Sequence, residues 1–211
     1  MIRFGKLISL VISTFVTLTV IANSTSEAAQ LVAKNASVAV LPNQEDAFEY
    51  VRVHDASALS ALQQGKVLRS DFHDVWPTKD KTYILDYEYI NIDGHNGGLV
   101  LNSVLYVTTG PDAAKRVLAE VARGTQIGAK NSSGSGAQVS PLSGLEGWQQ
   151  DVTAFQVTVA GKPVGIIAVF RRDANVGMVS VVGRAAPKSA QAFKVFMQPK
   201  ADKMLGFVPQ F

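Results

Sequence analysis

The clearest hydrophobic pattern lies between residues 153 and 184, in the runs Phe155-Gln-Val-Thr-Val159, Val164-Gly-Ile-Ile-Ala-Val-Phe170 and Val176-Gly-Met-Val-Ser-Val-Val182. The first alternates, with Phe155, Val157 and Val159 on one face and Gln156 and Thr158 on the other, the period of a half-buried strand. The second is apolar on both faces, as a central strand covered on each side must be. The breaks Ala160-Gly-Lys-Pro163 and Arg171-Arg-Asp-Ala-Asn175 carry the Gly, Pro, Asn and Asp of hairpin connections. This pattern predicts an antiparallel meander at the centre of a sheet.

Upstream, Tyr83 to Ile90 alternates with Tyr83, Leu85, Tyr87 and Tyr89 facing one way and Ile84, Asp86, Glu88 and Ile90 the other. The two acids mark that second face as partly wet. Asn91 to Gly98 has turn composition and Leu99 to Val107 returns as the partner strand, completing a hairpin. A helix follows, with Pro111 at its first position, Asp112 in the first turn, Ala114, Val117, Leu118 and Val121 on one stripe, and Arg123 and Gly124 closing it. On its outer face Arg116 and Glu120 are spaced to pair one turn apart. Nearer the N-terminus, Val38 to Leu41 reads as an edge strand, Asn43 as the cap of a short helix, and Asp55 as the cap of a second that stops at Gly65. Val67 to Lys81 reads as an irregular segment anchored by Phe72, Val75 and Trp76, and Lys130 to Gly144 as a mobile loop too poor in apolar groups to offset its ordering entropy. Pro187 opens a last helix with Ala192, Phe193, Phe196 and Met197 inward; Pro199 interrupts it and Gly206 ends it. The order predicts an α+β fold, a single antiparallel sheet with helices packed against it.

Composition changes this picture at the N-terminus. Arg3 and Lys6 precede an apolar core from Leu7 to Ala22, and Ser26-Glu-Ala28 has the small-x-small form of a signal-peptidase site. Residues 1–28 therefore read as a cleaved signal peptide, 29–64 as a leader with short helices, and 65–211 as the body of one globular α+β sandwich domain. The apolar core of about 16 residues is short for the roughly 20 that span a bilayer, and no later stretch approaches that length, so no membrane span is expected after cleavage. The expectation is an exported protein, periplasmic or secreted. The chain has no cysteine, so an exported domain has no disulfide to rely on. Lys and Arg number 20 against 17 Asp and Glu, and removing Arg3, Lys6 and Glu27 leaves 18 against 16. A balance this even, with no basic cluster, gives no case for nucleic acid.

The succession of a strand pair, the helix Gly110-Pro-Asp-Ala-Ala-Lys-Arg-Val-Leu-Ala, a meander carrying Val169-Phe-Arg-Arg-Asp-Ala-Asn-Val176 and a closing helix resembles PsbP-like and LpqN-type exported proteins. The resemblance covers roughly residues 65–205 and rests on the Phe-Arg-x-x-x-Asn-Val turn. It implies an antiparallel sheet sandwiched by helices and an accessory or binding role rather than catalysis. LpqN-type proteins generally begin with a lipid-modified cysteine, which this chain lacks, and no binding residue of the family is carried over.

Each histidine has an acid beside it: His54-Asp55, Asp71-x-His73-Asp74 and Asp93-Gly-His95. Imidazole with carboxylate ligates zinc or copper, which makes His73 and Asp71 the candidate metal ligands; capping and solvation are the alternative uses of such pairs in turns. The serines Ser132, Ser133, Ser135, Ser140 and Ser143 stand in no G-x-S-x-G elbow, and the glycines between them lack the Lys-Ser/Thr of a phosphate loop. Asn91, Asp93 and Asn96 offer oxygen ligands without the acid a calcium loop requires at its twelfth position. No cofactor is called for. Arg171, Arg172 and Arg184 fall at opposite ends of the meander and make no single patch. The aromatic residues Tyr83, Tyr87, Tyr89 and Trp148 are the candidate ligand-binding set, because such rings present an apolar plate to a sugar or a ring; as plain core they need no ligand. The functional expectation is an exported, non-enzymatic envelope protein that binds a partner protein or a small ligand. A metal-dependent enzyme using the His/Asp pairs and a purely structural envelope component are the alternatives.

Overall fold

A computed structural model of the chain describes residues 39–75, 83–92, 98–131 and 136–209. The expected signal peptide, Trp76, His95 and Ser132 to Ser135 lie outside the described residues. The elements run α1 (Gln44–His54), α2 (Ala56–Gln64), β1 (Lys66–Val75), β2 (Tyr83–Ile92), β3 (Leu99–Val107), α3 (Pro111–Asn131), β4 (Ala137–Pro141), β5 (Asp151–Val159), β6 (Lys162–Arg172), β7 (Asn175–Gly183), α4 (Ala190–Met197) and α5 (Ala201–Leu205). The seven strands form one sheet in the order β1-β2-β3-β7-β6-β5-β4, antiparallel at every step. Two meanders thus meet where β3 pairs with β7, and the fold is α+β with a single antiparallel sheet. No described helix is long and apolar enough to cross a membrane.

The strand periods account for the layers. Tyr83, Leu85, Tyr87 and Tyr89 of β2, with Leu99, Leu101 and Leu105 of β3, Ile166, Ala168 and Phe170 of β6, and Val179 and Val181 of β7, form one buried face. Over it lie Ala47 and Val51 of α1, Ala58 and Leu62 of α2, Phe193, Phe196 and Met197 of α4, and Met204 and Leu205 of α5. The opposite face, with Phe155, Val157, Ile167, Val169, Val176, Met178 and Val182, takes Ala114 and Ala122 of α3. β6 and β7 are apolar on both faces because helices cover them on both sides. The β5–β6 hairpin turns on Ala160 and Gly161, both at positive φ (51° and 73°), the geometry that matches strand twist in a two-residue turn.

Caps set the short helices as expected. Asn43 Oδ1 accepts from the Glu45 and Asp46 N–H groups while Asp46 accepts from the Asn43 N–H, a reciprocal box that contributes about 1 kcal/mol. Asp55 caps α2 through the Ala58 N–H and Gly65 closes it. Ser103 on β3 donates to the Pro42 carbonyl at 2.6 Å and fixes the leader on the sheet.

Five expectations are corrected. Residues 39–40 are helical, so Val38 to Leu41 is no edge strand. Lys66–Val75 is a strand, not an irregular segment, and Ala137–Pro141 is a strand inside the expected loop. The last helix starts at Ala190 behind the cap Ser189, not at Pro187. α3 runs past Gly124 to Asn131, and its ion pair joins Lys115 to Asp112 at 3.8 Å. It continues because Ala122 and Thr125 carry the buried stripe onward, the Thr125 hydroxyl donating back to the Val121 carbonyl. Gly124 faces open space, where a methyl group meets no atom within 4 Å. Gly124→Ala should therefore stabilise the protein by about 0.5–1 kcal/mol, read as a higher urea midpoint at unchanged slope. An unchanged or lower midpoint would place α3's end at Gly124 after all.

The α3-side face of the sheet is not simply wet where the acids lie. Glu88 is nearly buried and ion-paired with Arg69 of β1. Its neighbours across the ladder are Asn102 and then Ser180. Both are buried, with Asn102 Oδ1 and Ser180 Oγ lacking hydrogen-bond partners among the described residues.

Candidate functional site

The positions of α4 and its C-cap Gln198 divide by helical spacing. Phe193, Phe196 and Met197 go into the core, while Gln191, Lys194, Val195 and then Gln198 form an i, i+3, i+4, i+7 stripe on the other side. That stripe faces the segment linking β4 to β5. Leu145 buries its side chain there, the Trp148 N–H bonds the Leu145 carbonyl at 3.1 Å, and Gly144 and Gly147 take positive φ (94° and 72°) to shape the turn. The turn delivers Trp148 edge-on to Phe170 (centroids 5.2 Å apart) and Phe193 (5.9 Å), half-buried rather than enclosed.

Between these elements and the start of α5 opens a cleft of about 340 Å³, lined by Trp148, Gln149, Gln191, Lys194, Gln198 and Asp202 among others. An ion-pair relay holds its rim. Arg172 bonds Asp202, and its second contact, to Gln149 Oε1 at 3.1 Å, sets the orientation of that amide. Glu146 accepts the Gly144 N–H at 2.6 Å; its own backbone N–H first, and then this bond, lower its carboxyl from the ordinary value, with the Lys194 charge acting in the same direction. The wall thus offers an indole surface, three carboxamides, one ammonium and one carboxylate. Carboxamides donate and accept together, and an indole stacks on the C–H face of a ring, so this arrangement suits uncharged polyhydroxylated or amide-bearing molecules. Its volume falls at the small end of the roughly 300–1,000 Å³ typical of small-molecule sites.

Of the four aromatic candidates, Trp148 alone reaches this cleft. Tyr83, Tyr87 and Tyr89 are core, with no ring face open to a ligand, because α1 and its neighbours cover them. Phe72 packs on Tyr87 (4.3 Å), Phe48 meets Tyr89 edge-on (6.1 Å), and Phe207 lies against Tyr83 (6.1 Å). The Tyr87 and Tyr89 hydroxyls are used structurally: Tyr87 accepts from the Gln44 N–H and Tyr89 from the Asn91 amide. That network ties α1 and α2 to the sheet, since the same Asn91 amide donates to the Leu62 carbonyl at 2.7 Å.

Of the metal candidates Asp71 and His73, the side chain of His73 lies outside the described ones. Asp71 is exposed on β1, its carboxylate 3.9 Å from Arg69, and the backbone of His73 pairs with Asp86. His54 stacks on Tyr50 (4.3 Å) with Nδ1 2.8 Å from the Tyr50 carbonyl. Among the described residues no three His, Asp or Glu side chains gather as a metal site. The arginines do stand apart. Arg171 is buried against Asp151 and Gln150, and Arg184 is exposed at the far end of β7.

Pattern reading placed Trp148 in the candidate set but missed Gln149, Gln191, Lys194, Gln198 and Asp202. The signal was present: the polar stripe of α4 has the same spacing as its apolar one. No protein-family model matches the chain, and no curated protein matches it.

Proposed function

We propose that this is an exported, non-enzymatic binding protein of the cell envelope that takes a small polar ligand with one apolar face, such as a mono- or disaccharide, in the Trp148 cleft. The observation that carries the reading is the half-buried Trp148 set opposite the Gln191, Lys194 and Gln198 stripe. A core tryptophan needs no polar wall, and a solvated polar helix face needs no indole across from it. The cleft supplies hydrogen bonds and a stacking surface, the means of holding a neutral ligand, and the leader at residues 1–28 supports an envelope location.

The test is fluorescence titration of a Trp76→Phe variant, in which Trp148 is the remaining tryptophan, against a panel of mono- and disaccharides and amino acids. A saturable change in Trp148 emission is expected for at least one class. Gln191→Ala, an exposed change with no packing role, should then weaken binding about five- to tenfold, the worth of one hydrogen bond of about 1 kcal/mol. An emission spectrum indifferent to the whole panel, or an affinity untouched by Gln191→Ala, would reject the cleft as the site.

A further inference from the structure

The sheet has two edges of opposite character. β4 is five residues long and ends in Pro141, which cannot donate to another strand. β1 is ten residues long, has no proline, and exposes every side chain from Lys66 to Asp71, including Val67 and Leu68 at 46% and 48%. Edge strands this open are usually defended by charge or by a bulge. β1 has a bulge at Leu68, where its register with β2 slips between Val67 and Arg69, but its charges are of both signs and two residues apart.

We propose that β1 pairs with β1 of a second copy of this chain, antiparallel about a twofold axis at Ser70, joining two seven-stranded sheets into one. The register follows from charge. A twofold axis normal to the sheet keeps each copy's faces on the same side, so the axis passes through one residue of β1 and its equivalent. Centred on Ser70, it sets Arg69 opposite Asp71 of the second copy twice, on the face that already holds Glu88, and brings exposed Leu68 against Phe72. Centred on Arg69 it opposes two guanidinium groups, and centred on Asp71 two carboxylates, both unfavourable as directly opposed pairs. One of the three central registers is therefore selected. Within the chain Arg69 keeps Glu88 as its close partner and meets its own Asp71 only at 3.9 Å, and both side chains, more than half exposed, remain open to their counterparts in the second copy. Because the Pro141 edge cannot extend the sheet, pairing through β1 closes as a dimer and does not propagate into a fibre.

The absence of cysteine makes the test position-specific. Residues directly opposed across an antiparallel pair have Cα atoms about 4.5–5.5 Å apart, within the span a disulfide bridges. Under mild oxidation Ser70→Cys should give a covalent dimer, while Ser140→Cys on the exposed β4 edge should stay largely monomeric. Sedimentation equilibrium should show a dimer for the unmodified protein. Arg69→Asp and Asp71→Arg should each weaken it about tenfold or more, and the exchanged double variant Arg69→Asp/Asp71→Arg should restore it. A protein that stays monomeric at several hundred micromolar overturns the proposal. So does a Ser70→Cys variant that cross-links no faster than Ser140→Cys, a result independent of whether either charge reversal disturbs the Arg69–Glu88 pair.

Discussion

Replacing Gly183 with alanine is expected to remove about 4 kcal/mol of stability, a large share of the 5–15 kcal/mol that holds a typical domain. Gly183 ends β7 opposite Leu99, where β3 begins and the Arg184 N–H reaches back to the Gly98 carbonyl. Its φ is 146°, a conformation that L side chains rarely adopt, and an added Cβ would sit 2.0 Å from the Gly98 carbonyl oxygen and 3.0 Å from the Leu99 Cα. Both obstacles are backbone, held by the β3–β7 ladder at the centre of the sheet, so no side-chain rotation relieves them. The strained φ costs about 1–3 kcal/mol and the overpacking a similar amount. Gly161 separates the two contributions: it too has positive φ (73°), but open space surrounds its Cβ position. Gly161→Ala should therefore cost about 1 kcal/mol, the backbone share alone. Urea unfolding of the two variants measures the difference. If Gly183→Ala loses no more than Gly161→Ala, the close approach of β3 and β7 at this point is wrong.

Periodicity made the interior of the fold legible and its edges obscure. β2, β3, β6 and β7 are buried on at least one continuous face, so their side chains had to alternate or be apolar throughout. β1 and β4 each have one free edge and less to bury. In β1 only Phe72 packs inward among the described side chains, and the bulge at Leu68 breaks the period within its first three residues. In β4 the buried pattern amounts to Ala137 with part of Val139. The same limit hid the partner of Arg171. Counting back from the Ala160-Gly161 turn sets Gln150 opposite Arg171, but a one-residue slip between Val157 and Thr158 moves Asp151 into that place. Its guanidinium is thereby buried and paired, where sequence spacing alone left it on a basic strand end. The cleft was half legible for a related reason. Trp148 stood out as an aromatic ahead of the meander, whereas its lining depends on which sheet face α4 packs against, and that is a tertiary fact.

Alkaline solution should unfold this protein well before its backbone chemistry is affected, because burial holds Tyr87, Tyr89 and Tyr106 in the neutral form. Each has its hydroxyl shifted upward by desolvation. In Tyr106 the nearby Asp86 charge adds to it, whereas in Tyr87 and Tyr89 hydrogen bonds from Ser70, the Gln44 N–H and Asn91 oppose it in part. In the unfolded chain the same phenols titrate near the ordinary value of about 10. The native state then binds more protons than the unfolded state, so stability is complete below about pH 9 and falls as pH rises past about 10 toward the native values. Within that window each tyrosine still protonated in the native state contributes a slope approaching about 1.4 kcal/mol per pH unit, Tyr106 over the widest range. Urea midpoints from pH 8 to pH 11.5 should be level and then drop steeply. Tyr106→Phe keeps the ring and removes the ionisable group, so its stability should fall with pH by one tyrosine's share less. Midpoints that remain level to pH 11, or a Tyr106→Phe profile parallel to that of the parent, would show that these hydroxyls reach water in the folded protein. In that event α1 would not seal Tyr87 and Tyr89 as the packing of Phe48 and Phe72 requires.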